Sequence, residues 1–330
     1  MKIRVLLLGI GRWGANHLRL LHSLPVELFV AEIHQERLAQ ARTLGIPDTH
    51  LFHNYHEILA SVDAMVVVTP ANTHFDLCRE FLEAGKDVFV EKPITLRSEE
   101  ARMLVEIADR HRCILQVGHI FRYDPASQWL KDSIQRGKFG QIRILRGNFS
   151  GFKRPRNDTG VTFADAIHFI DLFNYFMDSP PARVNAVVKD FMGRGMDDAS
   201  LVSMNYEGAD KTTWATVEAG YYSPGKFREV IVVGEELSAV CDYNVAQYKV
   251  KTFENKHVKV DGGFKTVEGT MRQIEFPPEE PLLMELRAFI ESVRTRKHPL
   301  ADGRSGYEAV RVVEAALKSA KEERTIELNR

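Results

Sequence analysis

Two side chains in the second half of the chain have the types and spacing for acid–base chemistry. Asp165 and His168 lie three residues apart in a segment, 164–177, whose pattern predicts a helix, so they share one face of that helix. An imidazole that titrates near neutral pH can take a proton from a hydroxyl, and a neighbouring carboxylate can orient the ring. A surface hydrogen bond is the alternative for such a pair. The spacing would also allow metal ligation, but no third ligand pairs with it clearly, so we predict no metal.

A lysine in the first half could stabilise negative charge on an oxygen. Lys92 follows a predicted strand and precedes Pro93, which restricts the backbone of the residue before it. Ligands of open parallel sheets bind beyond the carboxyl ends of the strands. We therefore predict that the Lys92 ammonium favours a developing alkoxide on a substrate hydroxyl. An exposed turn lysine is the alternative.

A glycine-rich turn near the N-terminus indicates which oxidant such chemistry would use. Gly9-Ile10-Gly11-Arg12-Trp13-Gly14 joins the apolar stretch Lys2 to Leu8 to a helical pattern of leucines. There, backbone N–H groups and the helix dipole can approach a pyrophosphate. A second apolar run ends at Glu32, eighteen residues after Gly14, where a carboxylate can bind ribose hydroxyls. This order predicts a nicotinamide dinucleotide site. A glycine turn in another α/β fold is the alternative.

The acid after the second strand bears on the choice of dinucleotide. Glu32 repels a 2′-phosphate, which favours NAD over NADP. Arg37 weakens that preference, because a swung guanidinium could cradle the extra phosphate; otherwise it is a solvated helix residue.

Further strand ends should line the same crevice. We predict that the cofactor contacts, besides Glu32 and Lys92, come from these residues: Gly9, Gly11, Arg12, Trp13, Gly14, Thr69, Pro70, Asn72, His74 and Glu91. His74 either lies beside the nicotinamide or caps the helix that follows it. Lys153 and Arg156, in a basic run before the Asp165 helix, either bind a substrate phosphate or carboxylate or belong to a solvated loop.

The order of predicted elements indicates two domains. In residues 1–122, six apolar strands alternate with helices, including a short helix over 55–60, as in a doubly wound parallel sheet. In residues 123–330, β-rich segments dominate, one of them continuous over 237–252. The fold class is therefore α/β: an N-terminal Rossmann domain and a C-terminal α+β domain.

Composition excludes several classes of protein. The 330 residues carry a formal net charge of −1 with no basic stripe, so nucleic acid is not an expected partner. No apolar run is long enough for a membrane span, and no secretory leader is expected. Three scattered cysteines predict neither a disulfide framework nor a CxxC metal site, and indicate a cytoplasmic location.

The motifs together resemble the Gfo/Idh/MocA oxidoreductases. The resemblance is carried by GIGRWG, by the stretch from VDAMVVVTPANTH to VFVEKP, and by GHIFRYDP, AIHFIDLFNYF and HPLADGRSGYEAV, and it spans almost the whole chain. It implies a large, open, mostly antiparallel sheet in the second domain. It also implies NAD(P)-dependent oxidation or reduction at a sugar, cyclitol or nucleotide-sugar carbon, and a homodimer or homotetramer.

The resemblance also implies roles for individual residues. Lys92 and His168 match the lysine and histidine that flank the reacting hydroxyl in that family, and Arg122 and Tyr123 resemble substrate-pocket residues, with domain packing as their alternative. The family usually has an aspartate four residues before the histidine, where this chain has Ala164. Either Asp165 takes that role from a rotated position or the pair works differently here.

The resemblance indicates a substrate only through the branch of the family that one segment matches best. GVTFADAIHFIDLFNYF is most similar to the branch that oxidises UDP-N-acetylglucosamine at C3. An inositol or free-sugar dehydrogenase is one alternative. A non-catalytic NAD-binding regulatory protein is another, favoured by the missing aspartate and opposed by the retained Lys92 and His168.

Overall fold

The apolar runs of the first half form a six-stranded sheet in which every pairing is parallel. The computed structural model describes residues 2–207 and 212–328. The strands are β1 (Ile3–Leu8), β2 (Val26–Ala31), β3 (Leu51–Phe52), β4 (Ala64–Val67), β5 (Asp87–Val90) and β6 (Leu115–Val117). Their order, β3-β2-β1-β4-β5-β6, is that of a Rossmann fold. The predicted doubly wound sheet is confirmed.

Helices follow these strands where the spacing of apolar residues changes from a strand pattern to a helical one. They are α1 (Gly14–Ser23), α2 (Gln35–Thr43), α3 (His74–Glu83) and α4 (Ser98–His111). The predicted helix over 55–60 is wrong: that segment makes two short 3-10 turns, Tyr55–Glu57 and Leu59–Ser61. It is too short to repay the cost of nucleating an α-helix.

The second half forms a nine-stranded sheet and a separate hairpin. Their strands are β7 (Ile142–Ser150), β8 (Arg183–Lys189), β9 (Ala199–Glu207), β10 (Thr212–Gly220), β11 (Glu229–Gly234), β12 (Ser238–Asp242), β13 (Val250–Phe253), β14 (Lys256–Val260), β15 (Gly263–Val267), β16 (Met271–Ile274) and β17 (Ile326–Glu327). The large sheet has the order β16-β13-β12-β11-β7-β10-β9-β8-β17, and only its β7–β10 pairing is parallel. The mostly antiparallel C-terminal sheet is thus confirmed.

One face of this sheet is covered and the other is open. The covered face carries α6 (Ile167–Met177), which contacts β7 and β10. The other helices of the second half are α5 (Pro125–Gln135), α7 (Pro281–Thr295) and α8 (Gly303–Glu322). Burial alternates along β9 and β10, as expected for strands with one covered face. The continuous segment predicted over 237–252 is wrong, because residues 243–249 form a turn between β12 and β13.

By compactness, the chain divides into two units. The first comprises residues 1–123 and 280–310, and the second comprises 124–279 and 311–330. The domain boundary at 122/123 stays a prediction. Among residues 2–207 and 212–328, no helix is both long enough and apolar enough to cross a membrane.

A buried ion pair fixes the start of α5 within the second unit. Lys249 Nζ lies 2.6 Å from Asp124 Oδ2, and both side chains are less than one-tenth exposed. The other carboxylate oxygen of Asp124 accepts the backbone N–H of Ala126 at 2.9 Å and caps the helix.

We expect Asp124→Ala to lower the free energy of unfolding by about 3–5 kcal/mol, because it leaves the Lys249 charge buried without its partner. Urea denaturation followed by circular dichroism measures the loss. The double variant Asp124→Asn/Lys249→Met, which removes both charges and keeps a cap, should recover at least half of it. A loss below about 1 kcal/mol for Asp124→Ala, as at exposed ion pairs, would show that the pair is not buried in solution.

Candidate active site

The glycine turn after β1 leaves room for a ligand at one of its three glycines. Gly9 has φ +89°, and a Cβ on Gly14 would lie 2.2 Å from the Gly9 carbonyl oxygen, so both positions require glycine. Among the described residues, and leaving out Gly11 and its chain neighbours, the only atom within 4 Å of a Cβ on Gly11 would be Nη1 of Arg37, at 3.9 Å. The backbone is therefore open at Gly11, directly before the N-terminus of α1. This arrangement fits the pyrophosphate of a dinucleotide.

Glu32 lies at the end of β2 with its carboxylate turned towards the same glycine turn. Oε2 accepts the backbone N–H of Ile10 at 2.8 Å, and Oε1 accepts that of His34 at 3.0 Å. Arg37 Nη1 is 3.6 Å from Oε2. The carboxylate is buried and fits the position of an acceptor for ribose hydroxyls. Arg37 partly balances its charge, and a contact of Arg37 with a 2′-phosphate stays a prediction.

Glu91 carries a buried carboxylate that joins the glycine turn to the end of β5. Its Oε1 accepts the indole N–H of Trp13 at 2.7 Å and lies 2.8 Å from Nε2 of His17, while its Oε2 accepts the backbone N–H of Lys92 at 3.2 Å. Burial acts to raise the pKa of Glu91, but the contacts with His17, Trp13 and the Lys92 charge outweigh it, so the pKa is lowered. The predicted contact of Glu91 with the cofactor stays a prediction.

The loop after β4 is tied to the Lys92-Pro93 turn by one histidine. His74 is almost fully buried, and its ring nitrogens lie 2.8 Å from the Pro93 carbonyl oxygen and 3.0 Å from that of Thr69. Neither contact caps α3, which begins at His74. Pro70 and Asn72 are exposed on the same loop, and Lys92 is half-buried. The cofactor contacts of these residues stay predictions.

Arg122 and Tyr123 both contact one backbone segment of their own unit. Arg122 Nη1 donates to the Leu300 carbonyl oxygen at 3.0 Å, and the Tyr123 hydroxyl accepts the Ala301 N–H at 3.3 Å. Both side chains are buried. Their substrate-binding role stays a prediction.

The predicted Asp–His helix of the second unit begins with a π-helical turn. Residues Thr162–Ala166 are π-helical and lead directly into α6. Asp197, which lies outside this helix in the sequence, holds the π turn in place. One of its carboxylate oxygens accepts both the backbone N–H and the hydroxyl of Thr162, at 2.7 and 2.6 Å. Single π turns within helices occur often at functional sites.

Asp165 is ion-paired to a lysine that precedes the helix. Its two carboxylate oxygens lie 2.8 and 2.7 Å from Lys153 Nζ, which also stands 5.4 Å from the Phe149 ring centre and 5.5 Å from that of Tyr221. Burial lowers the pKa of Lys153, and the charges of Arg228 and Arg156 lower it further. The contact with Asp165 raises this pKa but does not outweigh the other effects. The predicted basic residue is thus brought to the predicted acid.

His168 lies against an aromatic ring that also carries a cation. The His168 and Phe149 rings are stacked with centres 4.9 Å apart, and the Arg228 guanidinium lies 3.6 Å from the Phe149 ring centre. His168 is half-buried. Arg156, the other predicted basic residue, pairs with Asp158 through two hydrogen bonds of 2.7 and 2.8 Å.

Sequence reasoning missed several residues that organise these two clusters. His17 had a signal, since it lies four residues after Trp13 and therefore on the same face of α1. Asp197, Phe149 and Arg228 had none, because their partners are distant in the chain. Among the described residues, no group of three or more His, Cys, Asp or Glu side chains could hold a metal ion.

Family models match both halves of the chain. The oxidoreductase family with an NAD-binding Rossmann fold, GFO_IDH_MocA, matches residues 3–119, and its C-terminal alpha/beta domain matches residues 131–328.

Individual relatives align along nearly the full length. A scyllo-inositol 2-dehydrogenase (NAD(+)) of Bacillus subtilis is 28% identical over 313 residues, 91% of this chain and 88% of that protein. A UDP-N-acetylglucosamine 3-dehydrogenase of Acidithiobacillus ferrooxidans is 27% identical over 323 residues, 96% of each. A solved levoglucosan dehydrogenase, in complex with NADH and levoglucosan, covers both chains fully with a TM-score of 0.84 at 19% identity, which shows a shared fold.

The lowered pKa of Glu91 predicts a pH dependence of stability. The folded-state pKa lies below the ordinary value, so the carboxylate stabilises the fold above that value, and the contribution is lost as the pH falls through the folded-state pKa. From neutral pH to about pH 3.5, we expect the urea midpoint to fall more steeply for the natural chain than for Glu91→Gln, which has no charge to lose at this position. Parallel curves would contradict the pKa direction.

Proposed function

The chain belongs to the Gfo/Idh/MocA oxidoreductase family and is an NAD-dependent dehydrogenase, and from this premise we propose its substrate class and the residues that act. The proposed reaction removes hydride from the carbon of a secondary hydroxyl on a sugar or nucleotide sugar. The observation that carries the proposal lies in the first unit, where Lys92 directly follows Glu91, the acid bonded to the glycine turn.

Each proposed catalytic residue handles one part of the hydroxyl's chemistry. NAD, when bound, supplies the hydride acceptor. Lys92 donates a hydrogen bond to the substrate oxygen and stabilises its developing negative charge. His168 accepts the hydroxyl proton, and its ring is kept in place by stacking on Phe149. Asp165 acts with Lys153 as an ion pair beside His168 on the same helix and fixes the electrostatic surroundings of the site.

An anionic substrate is favoured by the charges in the second unit. Lys153, Arg156 and Arg228 stand near Asp165, and the pKa of each of them is influenced by that acid. Such cations suit the diphosphate of a nucleotide sugar. Oxidation of UDP-N-acetylglucosamine at C3 is therefore our first candidate, consistent with the 27% identical relative.

An inositol is the second candidate, because the 28% identical relative acts on scyllo-inositol. A substrate panel of UDP-sugars, free sugars and inositols with NAD and NADP, followed by NADH or NADPH absorbance, separates the candidates. Turnover of a UDP-sugar alone supports the first candidate, and turnover of an inositol alone replaces it with the second. Silence across the panel would contradict both candidates.

Two variants test the proposed catalytic roles. We expect Lys92→Ala and His168→Ala each to lower kcat by about 10²-fold or more, because general acid–base and charge-stabilising groups contribute on this scale. Lys92→Ala should leave NAD affinity within about threefold, measured by calorimetry. Loss of cofactor binding together with turnover would contradict the role given to Lys92.

We propose that the open face of the C-terminal sheet forms a homo-oligomer. Val187 and Leu201 pair directly across β8 and β9 and are 55% and 48% exposed, so two large aliphatic side chains stand side by side on the open face. We also propose a cytoplasmic location, consistent with the free thiols of Cys78, Cys113 and Cys241.

A charge on this face should separate the subunits. We expect Leu201→Glu to convert the oligomer to a species of 37.6 kDa in light scattering, because the substitution would bury a carboxylate without a partner. Met103→Glu, at a 37% exposed position on α4 in the first unit, is the matched control and should keep the natural mass. A monomeric natural chain would contradict the proposal.

A further inference from the structure

Glu91 connects two segments that have separate tasks in the proposed function. Its Oε1 holds Trp13 of the glycine turn and His17 of α1, whereas its Oε2 holds the backbone N–H of Lys92. A single rigid carboxylate therefore joins the turn that fits the pyrophosphate to the proposed catalytic lysine.

The Glu91 carboxylate lies beside Gly118, the residue after β6. A Cβ on Gly118 would lie 2.9–3.1 Å from the three atoms of the carboxyl group, so this position requires glycine for the carboxylate to stay where it is. The His17 ring is fully buried, and the Glu91 side chain is 10% exposed. A displacement of Trp13 therefore acts on a buried carboxylate that also accepts the Lys92 backbone N–H.

Trp13 is the member of this network that a ligand can reach. Its side chain is 45% exposed although its indole N–H is held by Glu91. It lies between Gly11 and Gly14, within the turn whose open backbone fits the pyrophosphate. Occupancy of the turn thus acts on a residue that is bonded directly to Glu91.

We propose that Glu91 is a positioning residue that couples dinucleotide binding at the glycine turn to the placement of Lys92. Binding tightens the Trp13–Glu91 contact, and the carboxylate then holds the Lys92 backbone more firmly. The inference rests on the role of Lys92 in the proposed function. A merely structural role for Glu91 would stabilise the fold without transmitting occupancy.

The test uses ADP-ribose, which carries the pyrophosphate and adenosine of the cofactor but lacks the nicotinamide ring. The readout is the acylation rate of the Lys92 amine by a water-soluble reagent, measured by mass spectrometry with and without saturating ADP-ribose. In the natural chain we expect ADP-ribose to slow this reaction about fivefold, at the lower end of coupling between sites. Because no turnover is needed, the result is independent of whether a substrate is found.

Three variants separate coupling from stability. Glu91→Gln keeps the side-chain shape and removes the charge, while Trp13→Phe keeps an aromatic ring and removes the N–H. In both variants, ADP-ribose should no longer change the acylation rate of Lys92. Calorimetry verifies that ADP-ribose saturates each variant. Tyr55→Phe is the matched control, because it removes a 2.7 Å bond from an aromatic hydroxyl to the Glu80 carboxylate in the same unit, and it should keep the full response.

The pattern of results decides the proposal. If Glu91→Gln does not fold, Trp13→Phe carries the test, because its side chain is half exposed. With a substrate in hand, Glu91→Gln should lower kcat at saturating NAD about tenfold, on the scale expected for a misplaced catalytic group. A full ADP-ribose response in either variant, no response in the natural chain, or a loss confined to the KM for NAD would overturn the proposal.

Discussion

A buried carboxylate needs hydrogen-bond donors or a cation to offset its lost hydration, and this constraint decides where the functional segments lie. The carboxylates of Glu32, Glu91 and Asp165 are all buried. Glu32 draws in the backbone of the glycine turn, Glu91 draws in the turn and the Lys92 segment, and Asp165 draws in Lys153. Each acid has at least one donor from a distant segment, Ile10 for Glu32, Trp13 for Glu91 and Lys153 for Asp165, so satisfying the acid also fixes the distance between those segments.

The parallel sheet was predictable because both of its faces are buried. Strands such as β1 and β4 then appear as continuous apolar runs, and the glycine turn and Glu32 follow at the positions that this topology requires. The antiparallel half was harder to read. The 243–249 turn has no glycine or proline to mark it, and the short 3-10 turns at 55–61 have the composition of a helix.

The partners of the site residues were less predictable than their positions. The three-residue spacing of Asp165 and His168 favoured a direct pair, but the described contacts of Asp165 are with Lys153, twelve residues before it. Lys153 stands over the Phe149 and Tyr221 rings, and these come from β7 and from the residue after β10. Only the sheet register brings such residues together, and a single sequence does not contain that register.

The hairpin of β14 and β15 is exposed along nearly its whole length. A two-stranded ribbon of this kind gains little from burial, so its hydrogen bonds are maintained by local stability alone. Its amide protons should therefore exchange with solvent through local opening rather than through unfolding of the nine-stranded sheet. The tip at Gly262 and Gly263, where φ is positive, is for the same reason a place at which the chain can accept an inserted segment at little cost to the fold.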